Sequence, residues 1–179
     1  MSTSRLEHPG SLDECRDAIA ILDELEDVTF GTPATPDTIG RAEAALGVSL
    51  PPSLKYFAAE AGTVSIAGKE ILGLTGEDFS TTLAVNIVGA TLLERTRGLP
   101  DRFVVIHNPG DGTRYVIDLD AEGIVRVWTP RSGERGDERH PHFGRFLLEL
   151  ASDAEGDEKE IRFKERRREQ LERLNRGNK

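Results

Sequence analysis

Three runs of β-favouring residues dominate the middle of the chain. Phe103-Val104-Val105-Ile106-His107, Arg114-Tyr115-Val116-Ile117-Asp118-Leu119 and Ile124-Val125-Arg126-Val127-Trp128 are separated by stretches rich in Asn, Pro, Gly and Asp at 108–113 and 120–123. Val, Ile, Tyr, Phe and Trp suit a pleated, half-buried surface, and the intervening residues mark reversals. The pattern predicts a three-stranded antiparallel meander. It has one face to bury, so the rest of the chain must supply helices or another layer to cover it.

The period changes on the N-terminal side. Leu12, Cys15, Ile19, Leu22 and Leu25 recur at helical spacing and predict an amphipathic helix over 12–26, with Ser11 and Glu14 placed as a capping box. Cys15 lies on the apolar stripe and reads as a small core residue, since no His stands near it in sequence to activate it. Phe30-Gly31-Thr32-Pro33-Ala34 reads as a loop. Thr35 then caps a second helix with Pro36 at its first position and Gly47 past its end. Pro51 forces Leu50 into an extended conformation, and Pro52 or Ser53 opens a third helix that buries Leu54, Phe57, Ala58 and Ala61 and stops at Gly62. Residues 63–67 and 70–74 read as two short strands around Gly68-Lys69, and 76–82 as a loop. The pattern over 83–97 is mixed; Ala90, Leu92 and Leu93 fit a helix ending at Gly98. Residues 129–139 are polar and Gly-rich and read as an exposed loop, and 142–150 as a last packing helix through Phe143, Phe146, Leu147 and Leu150.

From Asp153 onward the chain changes character: 9 Lys/Arg and 8 Asp/Glu, with only Ile161, Phe163, Leu171 and Leu174 large and apolar. Opposite charges at Glu169/Arg173 and Glu172/Arg176 support a solvated helix, and the glutamates flanking Arg166-Arg167-Arg168 make that run an exposed helical face rather than a nucleic-acid patch. The reading is an α+β domain over 1–152 with a charged helical extension over 153–179. Charge then becomes informative: the first 152 residues keep 14 Lys/Arg and 24 Asp/Glu, net −10. Such a body repels nucleic-acid phosphate and attracts a basic protein, although acidity alone also serves solubility. No apolar run approaches the roughly 20 residues of a membrane span, and the N-terminus lacks the apolar segment of a secretion signal. With one cysteine there is no internal disulfide, so a cytoplasmic location is expected.

Candidate chemistry is sparse. Asp118-Leu119-Asp120-Ala121-Glu122-Gly123 imitates the start of a calcium loop, but the position of its bidentate Glu holds Thr129. His140-Pro141-His142 offers two metal ligands without a Cys or carboxylate pattern, and reads as a surface loop. Gly110-Asp111-Gly112 lacks the Lys and helix start of a phosphate-cradling loop, and His107 reads as a packed or rim residue. No catalytic residue, cofactor or metal is expected.

Residues 35–62 carry a more specific signal: a helix with Ile39, Glu43 and Leu46-Gly47, then Leu50-Pro51, then a helix with Tyr56-Phe57 closing at Ala61-Gly62. This order resembles the SUKH superfamily, which joins yeast Smi/Knr-type cell-wall regulators with bacterial toxin-immunity proteins. Arg97-Gly98-Leu99-Pro100, the three β runs and His142-Phe143-Gly144-Arg145-Phe146-Leu147 are similar to the family's continuation, so the resemblance spans about 12–150. Ala61 stands where an acidic or amide residue is often found, and the charged tail looks like an addition. The resemblance implies a central, mostly antiparallel sheet flanked by helices. Leu50, Leu54, Phe57, Tyr115, Ile117 and Trp128 should then be core, and Gly47, Gly62 and Gly112 should sit at positive φ. In bacteria it implies a non-enzymatic protein that binds and neutralises a toxin domain, a nuclease among the classes, by occlusion. Glu77, Asp78, Asp111, Asp118, Asp120 and Glu122 are the candidate partner-binding residues, chosen as acidic residues on loops at the sheet rim. The alternative is a regulatory scaffold that docks partners through its charged C-terminal helix.

Overall fold

A computed structural model describes residues 7–75, 79, 86–133 and 135–177, with side chains to residue 170. Its order is α1 (Ser11–Asp23), β1 (Val28–Phe30), α2 (Pro36–Leu46), α3 (Pro52–Ala61), β2 (Val64–Ile66), β3 (Lys69–Ile71), α4 (Ile87–Arg95), β4 (Phe103–His107), β5 (Arg114–Asp118), β6 (Ile124–Trp128), β7 (Asp137–His140) and α5 (Phe143–Gly177). The strands form one seven-stranded sheet in chain order, every neighbouring pair antiparallel, flanked by helices. This is the α+β class expected from the sequence, with the predicted meander as β4–β6.

Thr35 caps α2 through its hydroxyl, which accepts the Thr38 N–H, and Pro36 occupies the first turn. Gly47, Gly62 and Gly112 have φ of 68°, 67° and 91°. Leu50, Leu54, Phe57, Ile117 and Trp128 are fully buried, whereas Tyr115 is half-buried beneath Phe146. Cys15 is buried, and burial pushes its thiol up to about 12, which keeps it protonated and inert.

Four local expectations change. The capping box at Ser11 does not form: Ser11 is the first helical residue, and its Oγ instead donates to Ser53 Oγ of α3 and accepts the Gly144 N–H of α5. Residues 129–139 are not all loop, because β7 adds a charged, exposed strand to the sheet edge, where one pairing partner and charge suffice. A second edge strand, β1, appears where Phe30 read as loop. The closing helix and the charged tail are one continuous helix. Phe143, Phe146, Leu147 and Ala151 bury its first turns, at about 1.5–3 kcal/mol for each large side chain, whereas residues 159–170 are exposed.

At the sheet centre β3 reaches β4 only at Ile71↔His107, and β4 bulges between Val105 and His107. The Val105 N–H released there is accepted by Thr91 Oγ1 of α4, so a helix completes the hydrogen bonding of a buried strand. Among the described residues no helix is long and apolar enough to cross a membrane.

Candidate partner-binding surface

The candidate acidic residues do not share one rim. Glu77 and Asp78 lie outside the described residues. Asp111 sits in the β4–β5 loop, exposed, and accepts the Thr113 N–H and hydroxyl, which hold its carboxyl below the usual range. Asp120 and Glu122 are exposed in the β5–β6 turn, at the opposite end of β5. Five residues of strand span about 17 Å, so these carboxylates face different ends of the sheet.

Asp118 is neither on a loop nor exposed. It closes β5 and is buried, 2.8 Å from Arg126 Nε and 3.4 Å from Arg102 Nε. A buried carboxylate needs such partners, so Asp118 holds the sheet end together. Glu94 does the same at the other end, buried 2.8 Å from Arg114 and 3.0 Å from Arg97.

The histidines have structural partners. His107 is buried with Nδ1 2.6 Å from the Glu70 carbonyl oxygen. His140 lies 3.0 Å from Glu149. His142 is buried, stacked on His8 at 4.7 Å and 3.8 Å from Glu14, which also binds Arg145. Burial keeps the His142 imidazole below its ordinary pKa, against the pull of Glu14. Among the described residues no three His, Cys, Asp or Glu side chains are grouped to hold a metal.

A better-built concavity lies elsewhere. α1 and α5 run parallel, from Gly144 beside Ser11 to Arg162 beside Glu26. Where the chain leaves α1 for β1, the β2–β3 turn and α5 enclose a groove of about 170 Å³. Leu25, Val28, Ile66, Leu150, Ala154 and Ile161 make its apolar lining. Asp27, Asp153, Asp157 and Glu158 surround it, with Lys69 as the lone cation of the lining. Glu158 is engaged, accepting the Glu26 N–H and pairing with Arg162. Asp27, Asp153 and Asp157 are exposed and make no side-chain hydrogen bond or ion pair among the described residues.

Ala67, on the groove's lip, has φ 47° and is followed by Gly68 at 81°, the two positive φ values of a tight primed hairpin turn. Asn, Asp or Gly is the usual first residue there; alanine keeps the lip apolar. The sequence carried one trace of this groove: Leu150, Ala154, Asp157 and Ile161 fall on one helical stripe that runs past the packing helix into the charged extension.

A search among curated proteins found no match. Residues 16–152 match the family model described as SUKH_5, SMI1-KNR4 cell-wall. With that match spanning most of the chain, and with the antiparallel sheet and flanking helices in place, this chain belongs to the SMI1-KNR4 family of the SUKH superfamily.

Proposed function

We propose that this chain is a non-enzymatic immunity-type protein of the bacterial cytoplasm that binds a toxin domain and neutralises it by occlusion. Family membership is the observation that carries the reading. The physical chemistry agrees with it. The first 152 residues are net −10, and Asp111, Asp120 and Glu122 are exposed carboxylates on loops, while the buried carboxylates Asp118 and Glu94 are each neutralised by arginine. A basic enzyme such as a nuclease is the complementary partner; opposed charges speed encounter, and apolar anchors slow release.

The test is co-expression of the full chain with any toxin domain whose gene adjoins its own. Restored growth, together with co-elution of the two proteins, is expected. Continued killing by a toxin that never co-elutes with the folded chain would overturn the reading.

The second reading, a scaffold that docks partners through its C-terminal helix, draws on α5 itself. That helix continues well past the packed body and leaves Ile161 and Phe163 51% and 60% exposed. Removing residues 163–179, and with them the exposed Phe163, separates the two. A toxin neutraliser keeps its binding, whereas a tail-dependent scaffold loses it.

A further inference from the structure

We propose that the groove between the α1–β1 connection, the β2–β3 turn and α5 seats one apolar side chain of a protein partner, flanked in that partner by lysine or arginine. The inference rests on the protein-binding reading above and gives it a location and a recognition chemistry.

A cavity of about 150 Å³ walled by aliphatic and aromatic side chains accommodates a benzene-sized group. The groove's 170 Å³, walled by Leu25, Val28, Ile66, Leu150, Ala154 and Ile161, therefore suits a leucine or phenylalanine side chain. Ile161 is 51% exposed on a helix otherwise solvated at that level, so an incoming apolar group removes surface that the protein alone leaves in water.

Charge selects the flanks. Asp153 and Asp157 are i,i+4 neighbours of like charge on α5, an arrangement unfavourable to the isolated helix. Asp27 faces them from the other side of the groove, and all three carboxylates are unpaired among the described residues. Lys69 offsets one of these charges and leaves the rim net negative. A basic pair on either side of the anchor relieves the Asp153/Asp157 repulsion, while an acidic flank adds to it. Nucleic acid, a polyanion, is excluded by the same rim.

The geometry also explains two features that stability does not. α5 carries its apolar stripe through Ile161 although its later turns are exposed, and Ala67 holds a left-handed φ at the lip, where asparagine or glycine would sit with less strain. Both keep the mouth of the groove apolar.

The experiment titrates the full, isotope-labelled chain with a blocked Arg-Lys-Leu-Lys-Arg pentapeptide and follows backbone amide shifts. Two control peptides replace the leucine by serine, or the four cations by glutamate. Saturable shifts centred on Asp27, Val28, Ala67, Gly68 and Ala154 are expected, at least tenfold weaker with either control. Ala154→Arg, which fills the groove with a cation at a half-buried position, should abolish them. Asp153→Asn combined with Asp157→Asn should weaken binding several-fold and reduce its salt dependence. Shifts centred elsewhere, shifts unchanged by Ala154→Arg in a folded variant, or no saturable shift at millimolar peptide would overturn the proposal. If the peptide fails while the chain still co-elutes with its toxin, the groove falls and the immunity reading stands. If the peptide seats as described while no toxin is bound, the groove stands and the immunity reading falls.

Discussion

Ala67 is a strained residue at the tip of the β2–β3 turn. An alanine at φ 47° is held in a left-handed conformation that L-residues with a Cβ adopt at a cost of about 1–2 kcal/mol. Ala67→Gly is expected to raise the denaturation midpoint, by about 1 kcal/mol of stability, a gain that chemical denaturation would register. His142 is a buried histidine immediately before α5. Its folded-state pKa lies below its ordinary value because burial disfavours the imidazolium. The unfolded chain therefore binds a proton more readily than the folded one, and His142 contributes stability above its unfolded pKa that is lost as pH falls through that value toward the folded one. Glu14 and Glu7 work against this depression, while His8 and Arg145 add to it. His142→Gln should flatten the decline of melting temperature between about pH 7 and pH 5. An unchanged slope would assign that decline to other groups.

At the scale of elements, the α1/α5 pair governs the fold. A Cβ added at Gly144 would stand 2.0 Å from the Ser11 carbonyl oxygen and 3.0 Å from the Cys15 nitrogen, both backbone atoms that cannot turn aside. Gly144→Ala is therefore expected to destabilise the protein by about 3 kcal/mol or more, visible as a large fall in melting temperature. Thr91→Val removes the acceptor of the Val105 N–H and leaves a buried donor unsatisfied, at about 1–3 kcal/mol in the same assay.

Much of this scale was legible in the chain. Thr35-Pro36 and Gly47 bounded α2, and the β runs between Phe103 and Trp128 gave the meander, because local chemistry fixes those boundaries. Strands β1 and β7 were not legible: β1 is only three residues long and β7 is charged, and a partner strand rather than an apolar pattern defines each. Ser11 carried a cap signature, yet its hydroxyl is recruited by α3 and α5, contacts far away in sequence. Asp118 looked like a rim carboxylate because Asp-Leu-Asp reads as a turn; only the register that brings Arg126 alongside shows it buried. The groove was hidden for the same reason, since three separated segments build it.

At the scale of the whole molecule, and among the described residues, the buried carboxylates Asp118 and Glu94 are paired with arginines and most charges without a partner are acidic and exposed. The arginines beside Asp118 and Glu94 stabilise the sheet ends, leaving Asp120, Glu122 and the groove carboxylates facing outward. Such a surface acts on a partner through long-range attraction that salt screens, followed by contact that salt does not. On the proposed function, this chain works by holding a basic protein. The decisive measurement is titration calorimetry of the full chain against a toxin domain whose gene adjoins its own, from about 0.01 M to about 0.15 M ionic strength. A saturable complex that weakens about tenfold or more across that range is predicted; a folded chain that binds no toxin at either ionic strength, or binds it equally at both, would contradict the claim.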